Sequence, residues 1–268
     1  SFIGAGLNDS LSRDNSFLGG GEANRVGGGG SGSGLPTHAV IVGGRSNKIN
    51  AGFSSGGEFS VIGGGDGNEA TSTHTVIGGG FKNQTFGSHN AIVGGTGNKI
   101  GVTITAAIEN FIGGGSQNAI TGGSNNSVIG GGDLDTINGD NAFIGGGFRN
   151  FAGSTYSVIS GGNSNRATGT GSAILGGQNN RATGTNSVVV AGSSDSATAS
   201  ESFVGGGLRN TASGAQSVVV GGEDNKVTAD NSTVVGGANN RVANGFAIIA
   251  GGQNNLVDGP EGFIGSGS

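Results

Sequence analysis

Apolar residues in this chain come in clusters of two to four, and the clusters return at a fixed distance. Taking each stretch of the form S-V-I-G-G-G-x-x-N as the start of a unit gives starts at Ser1, Ser16, Ala39, Ser60, Thr75, Asn90, Asn110, Ser127, Ala142, Ser157, Ser172, Ser187, Ser202, Ser217, Ser232, Ala247 and Gly262. From Ser127 onward nine successive steps are 15 residues long, while insertions of 8, 6, 5 and 2 residues interrupt only the first half. Fifteen residues is too short for a helix–turn–helix repeat. Branched apolar clusters set among glycines are also poor helix formers. The pattern therefore predicts short strands joined by Gly and Asn corners, one unit per coil, with coils about 4.8 Å apart. This is an all-β fold, a parallel β-solenoid or β-roll of about 17 coils with a 15-residue repeat. It forms a single repeat domain over residues 1–268, with insert-bearing coils at 16–126 and regular coils at 127–268.

Numbering each unit from 1 to 15 assigns a task to each column. Column 3 is Ile, Val or Leu in every unit and is the inward ladder of the first strand. Column 11, as in Ala167, Ala182, Ala197, Ala212, Val227, Val242 and Val257, is the inward residue of the second strand. A coil this narrow is expected to hold one large and one small side chain per layer. Column 6 is Gly in all 17 units and column 5 in 14 of them, which marks a corner with positive φ or close backbone approach. Column 9 is Asn or Asp in all 16 full units. Asn tolerates the left-handed conformation, and stacked amides hydrogen-bond along a stack. Asn150, Asn165, Asn180, Asn210, Asn225, Asn240 and Asn255 are accordingly read as a structural Asn ladder, with a ligand-binding Asn row as the alternative.

Columns 2 and 4 flank column 3 and point out of the coil. They are nevertheless apolar, and they compensate in volume. Phe2, Phe17, Phe111, Phe143, Phe203 and Phe263 each have Gly two residues later, whereas Val42, Val93, Leu175, Val190, Val220 and Val235 follow Val, Ala or Thr. Exposed residues feel no such constraint and packed ones do. An apolar strip of this length is not left bare on a soluble monomer. The expected cover is another copy of the chain, through Phe2, Phe17, Val61, Val76, Phe111, Val128, Phe143, Val158, Leu175, Val190, Phe203, Val220, Val235, Ile248 and Phe263. The alternative is a wider coil in which this face meets a second part of the same chain.

Composition narrows the function. Of 268 residues 64 are Gly and 2 are Pro, with no Cys, Met or Trp. This excludes a disulfide scaffold, Cys-held metal clusters and a Cys nucleophile. No run reaches the roughly 18 apolar residues of a membrane span, and no signal peptide is visible. A net charge of −5 argues against nucleic acid. A chain opening at Ser1 is expected to be processed or excised. There is no Ser–His–Asp spacing, no buried carboxylate pair and no pocket in a regular coil, so no enzyme activity and no cofactor are expected.

The stretch Ser172–Gly184 (S-A-I-L-G-G-Q-N-N-R-A-T-G) resembles the head repeats of YadA-like trimeric autotransporter adhesins, which read roughly N-S-V-A-I-G-x-x-S-x-A-x-G. The resemblance covers essentially the whole chain, although the unit is 15 residues here and shorter in the family. It implies a left-handed β-roll, packing of three rolls into a homotrimer, and an adhesive or fibre role outside the cell. No neck motif, heptad stalk or membrane anchor accompanies the repeats, so a secretion route is not implied. Related phage-fibre and filament solenoids share such repeats, which keeps a virion fibre or a head-to-tail filament open.

Further candidates are minor. His38, His74 and His89 each precede a column 1 residue, and His74 and His89 fall on consecutive coils about 5 Å apart. Surface stacking is their plain reading, and a metal or pH-sensitive site at His74 and His89 the sharper one. Eleven of the 12 basic residues lie in columns 7–10, a mixed solvated edge or a glycan-binding stripe. The Gly63–Asn68 string as a calcium site and Thr168-Gly-Thr170 with Thr183-Gly-Thr185 as an ice-binding row are weaker alternatives. The inserts Gly27–Pro36, Asn50–Glu58 and Gly101–Ile108 break the period at one corner and are the place for recognition of a host protein or glycan.

Overall fold

Most strands of this fold are two residues long, because a 15-residue coil spends the rest of its length on corners, and the longer ones are Phe2–Leu7 and Phe17–Glu22. The computed structural model describes residues 1–27, 37–50, 58–101 and 107–267. The chain is an all-β parallel β-solenoid of about 16 turns with a repeat of about 15 residues, and no helix occurs among the described residues. It divides into two compact units, Ser1–Asn138 and Gly139–Ser268.

In the second unit the first strands, such as Val158–Ile159, stack parallel and in register, with Phe143 on Val158, Val158 on Ala173, Ala173 on Val188 and so on to Ile248 on Phe263. The second strands, such as Arg166–Ala167, form their own ladder from Phe151 to Leu256. Column 7 adds a third row of parallel bridges from Phe148 to Gln253. The first unit repeats this plan, and its inserts do not disturb it. Phe17 still pairs with Val40, Val40 with Val61 and Ala91 with Phe111. The three loops leave the coil at the same column, after Gly27, Asn50 and Gly101, and their bulk (28–36, 51–57 and 102–106) lies outside the described residues.

Burial alternates as a pleated strand requires. Columns 3 and 11 are fully enclosed in the inner coils, as in Ile159 with Ala167, and open only in the end coils, where Ile3 is exposed and Leu11 and Ile264 are half-buried. The expectation of one large and one small residue per layer fails in the first unit, where Ile112 faces inward in the same coil as Ile120 and both are inaccessible. The other buried positions of that coil, Asn110 and Asn118 among them, are polar.

The corners also differ from expectation. Column 9 Asn is not left-handed. Positive φ falls instead on columns 8 and 15, as in Ser164 (57°) and Asn179 (56°) of column 8 and Tyr156 (59°) and Asn186 (54°) of column 15. A non-Gly residue there costs roughly 1–2 kcal/mol. That cost explains why column 15 holds Asn, His, Glu, Gln and aromatic residues but no branched one.

Candidate functional site: a buried amide ladder and an outward apolar face

The column 9 Asn residues point into the coil and are sealed there; Asn180, Asn210, Asn225 and Asn240 have no solvent exposure. Each side chain joins three places. Asn165 Oδ1 accepts the Asn180 N–H at 3.0 Å, and its Nδ2 donates to the Gly161 carbonyl of its own coil and the Gly177 carbonyl of the next, both at 3.0 Å. The same three links recur at Asn180, Asn210, Asn225 and Asn240. Asn150 donates to Gly146 and Gly162, and Asn255 to Gly251 and Gly267. The first unit carries the ladder too, from Asn24 to Asn118. The Asn amides of this row are thus engaged by the chain's own backbone and by one another.

Column 6 Gly is what lets the ladder close. Gly162 has φ of 100°, and a Cβ there would overlap both the Gly177 carbonyl and the Asn165 amide. Column 5 differs. Gly94, Gly131, Gly176, Gly236 and Gly251 have no left-handed φ, and a Cβ on any of them would meet nothing within 4 Å. The expectation of a strained pair therefore holds for column 6 and fails at these column 5 positions.

A second buried polar row, invisible to the sequence reading, runs along column 1. Ser157, Ser187, Ser202 and Ser217 are inaccessible or nearly so, and their hydroxyls donate to the carbonyl three residues earlier at 2.6–2.7 Å. The recurring Ser at column 1 was the available signal.

Outward, the structure places the candidate interface residues on one strand face. Phe2, Phe17, Val76, Phe111, Phe143, Leu175, Val220, Val235, Ile248 and Phe263 are exposed, and Val61, Val128, Val158, Val190 and Phe203 are half-buried. Leu175 is 50 % and Val220 48 % accessible. Among the described residues no other segment folds over this face within either unit. The volume compensation between columns 2 and 4 has a local cause. The Phe143 ring edge lies 3.5 Å from where a Gly145 Cβ would stand, and Phe111 and Phe203 sit over Gly113 and Gly205 at 3.4 Å. A Gly145 side chain would also overlap the Ser160 carbonyl of the next coil. Gly145→Phe would therefore break the coil itself and cannot serve as a test of assembly.

The histidines form an aromatic stack at the left-handed column 15 corner. Successive ring centroids of His38, Phe59, His74 and His89 are 5.0, 5.1 and 4.8 Å apart. Parallel rings set their nitrogens side by side rather than converging on one point, and no group of three or more His, Cys, Asp or Glu able to hold a metal occurs among the described residues. Charges at columns 7 and 8 pair on the surface, Arg45 with Asp66 and Arg209 with Glu223 and Asp224. Thr71, Thr121 and Thr228 of column 12 donate their hydroxyls to backbone carbonyls of the next coil.

No helix of the described residues is long and apolar enough to cross a membrane. No family model matches this chain, and no curated protein matches it.

Proposed function

We propose that this chain is a structural and adhesive fibre segment whose β-solenoids assemble side by side through the column 2 and 4 face. The observation that carries this reading is the exposed apolar row along one strand face of the coil. Burying each Phe or Val of that row is worth roughly 1.5–3 kcal/mol. The column 5 glycines point the same way. Gly in a regular element costs roughly 0.5–1 kcal/mol of extra entropy. At Gly176 and Gly236 neither the backbone nor a neighbour within the chain requires it, and both lie beside the apolar row. A flat surface there lets a partner's backbone come close. The partner is a second and third copy of this chain, three being the number the adhesin resemblance implies. The assembly works outside the cell or on its surface, with the inserts and polar corners displayed toward a host protein or glycan.

Light scattering on the full chain tests the reading. The wild type is expected at three chain masses, one chain being 25.6 kDa. Leu175→Lys combined with Val220→Lys, both at exposed positions, is expected to give single chains with an unchanged circular dichroism spectrum. Arg181→Ala, on the opposite strand ladder, should keep the wild-type mass. A wild type that runs as a single chain at all concentrations would refute the proposal.

A further inference from the structure

Three rungs of the column 9 ladder carry Asp in place of Asn, and one of them, Asp195, is fully buried in the second unit with regular coils above and below. Its Oδ1 does what every Asn Oδ1 does and accepts the next rung's N–H, that of Asn210, at 2.7 Å. Its own N–H donates to Asn180 Oδ1 at 2.9 Å. The difference lies at the second atom. A Cβ at Gly177 would meet the Asn180 Nδ2 and one at Gly207 the Asn210 Nδ2, whereas one at Gly192 would meet Asp195 Oδ2. Asp195 Oδ2 therefore stands where the other rungs place a doubly donating NH₂ group. By register its neighbours are the Ala191 carbonyl and the Gly207 carbonyl, both acceptors. Oδ2 has no hydrogen-bond partner and no access to solvent.

The Gly207 carbonyl keeps the Ser193 N–H at 2.9 Å, but Oδ2 and the Ala191 carbonyl are left facing each other without the donor that an Asn amide supplies, and such oxygens need a positive species between them. The spacing decides which. In the flanking rungs the Nδ2 to carbonyl distances are 2.9–3.1 Å. That is hydrogen-bond length, and a proton on Oδ2 fills it. A Ca²⁺ ion needs six to eight oxygens, each about 2.3–2.6 Å away, and Mg²⁺ needs near-ideal octahedral geometry. The interior supplies neither the number nor the room.

We propose that Asp195 is a buried proton-binding site, in which the neutral carboxylic acid donates from Oδ2 to one of the two backbone carbonyls and so makes this coil an acid-tightened joint of the solenoid. Loss of the proton leaves a carboxylate facing two carbonyl oxygens in a dry interior, which weakens the stacking of the coil at 187–201 on its neighbours. No charge offsets this. The charged side chains on the adjoining coils are Arg181 on the preceding second strand and Arg209 at the following corner. Both are exposed and outward, and Arg209 is engaged by Glu223 and Asp224. Ser196 and Thr211, on the same strand and the next, are neutral. Burial pushes the carboxyl above its ordinary value, with the Asn210 hydrogen bonds opposing.

The sign follows from linkage. A carboxyl titrating higher when folded stabilises the coil fully below its unfolded value, and that stability is lost as pH rises through the folded value. Hydrogen exchange of the Asn210 amide in the full chain, corrected for intrinsic rate, reads this directly. In the wild type the opening constant should rise by up to about tenfold per pH unit above pH ~4 and then level off, as release of one proton requires. Asp195→Asn should abolish the slope and protect the amide more strongly than wild type at neutral pH. The variant folds on the same plan, because Asn already fills this column in 13 units. A ¹³C titration of the Asp195 carboxyl supplies a second reading. The proposal is overturned if Asp195→Asn shares the wild-type pH profile or is less protected at neutral pH. It is equally overturned if the carboxyl titrates at or below 3.8, its ordinary value, or if calcium protects Asn210 at neutral pH and a chelator reverses it.

Discussion

Removing one amide from the ladder has a cost that can be worked from the structure. In Asn165→Ala the Asn180 N–H loses its acceptor at 3.0 Å and the Gly161 carbonyl loses its donor at 3.0 Å. The Gly177 carbonyl loses one donor but keeps the Asn163 N–H at 3.0 Å. Two groups are left unsatisfied in a closed interior, and each costs about 1–3 kcal/mol. The sum, about 2–6 kcal/mol, falls on the coils next to residue 165 rather than on the whole chain, because a solenoid couples only nearest neighbours. Native-state hydrogen exchange is therefore the appropriate assay, read at the Asn180 amide. The opening constant there should rise at least about thirtyfold, the factor that ~2 kcal/mol implies. Amides several coils away should change little. Arg181→Ala, one column further along and exposed, is the control and should stay within about 0.5 kcal/mol. If Asn165→Ala opens the coil less than about fivefold, or no more than the control, the reasoning that the amide ladder fastens adjacent coils is wrong.

Other consequences are open to simpler measurement. Gly162→Ala should destabilise the second unit by about 1–3 kcal/mol from backbone strain alone, seen as a fall in the urea midpoint. Gly176→Ala should stabilise a dissociated chain by about 0.4–1 kcal/mol while weakening self-association. A variant that associates normally would show that this glycine has no part in the contact. Arg45 holds the Asp66 carboxyl below its ordinary 3.8, so this exposed pair supports the first unit above pH ~4 and releases it on acidification, the reverse of Asp195. Added salt should erase the Asp66 contribution and leave that of buried Asp195 in place, and urea midpoints from pH 3 to 6 at two ionic strengths would separate them.

The solenoid was legible because period and polarity agree. A 15-residue step that returns Ile to column 3, Gly to column 6 and Asn to column 9 admits one stacking register, and the inserts between Phe17 and Val40 leave it intact. The Asn ladder of column 9 was legible as well, since a polar residue repeated without exception finds its hydrogen bonds in the stack, but its burial inside the coil was not. What escaped was conformation at single positions. Left-handed backbone falls on Ser164, Arg149, Tyr156 and Glu201, residue types that do not announce it, and only the absence of branched side chains in column 15 hints at it. The glycines misled in the opposite sense. Gly162 and Gly176 look equivalent in sequence, yet one is fixed by the next coil's carbonyl and the other touches nothing. That contrast separates what the coil requires from what it does not. Column 6 Gly, column 9 Asn and the inward apolar columns all serve the coil's own interior. Gly94, Gly131, Gly176, Gly236 and Gly251 and the outward Phe and Val remain over, a residue pattern that repeats without serving the chain's own interior, and it is this surface that the proposed side-by-side assembly would cover.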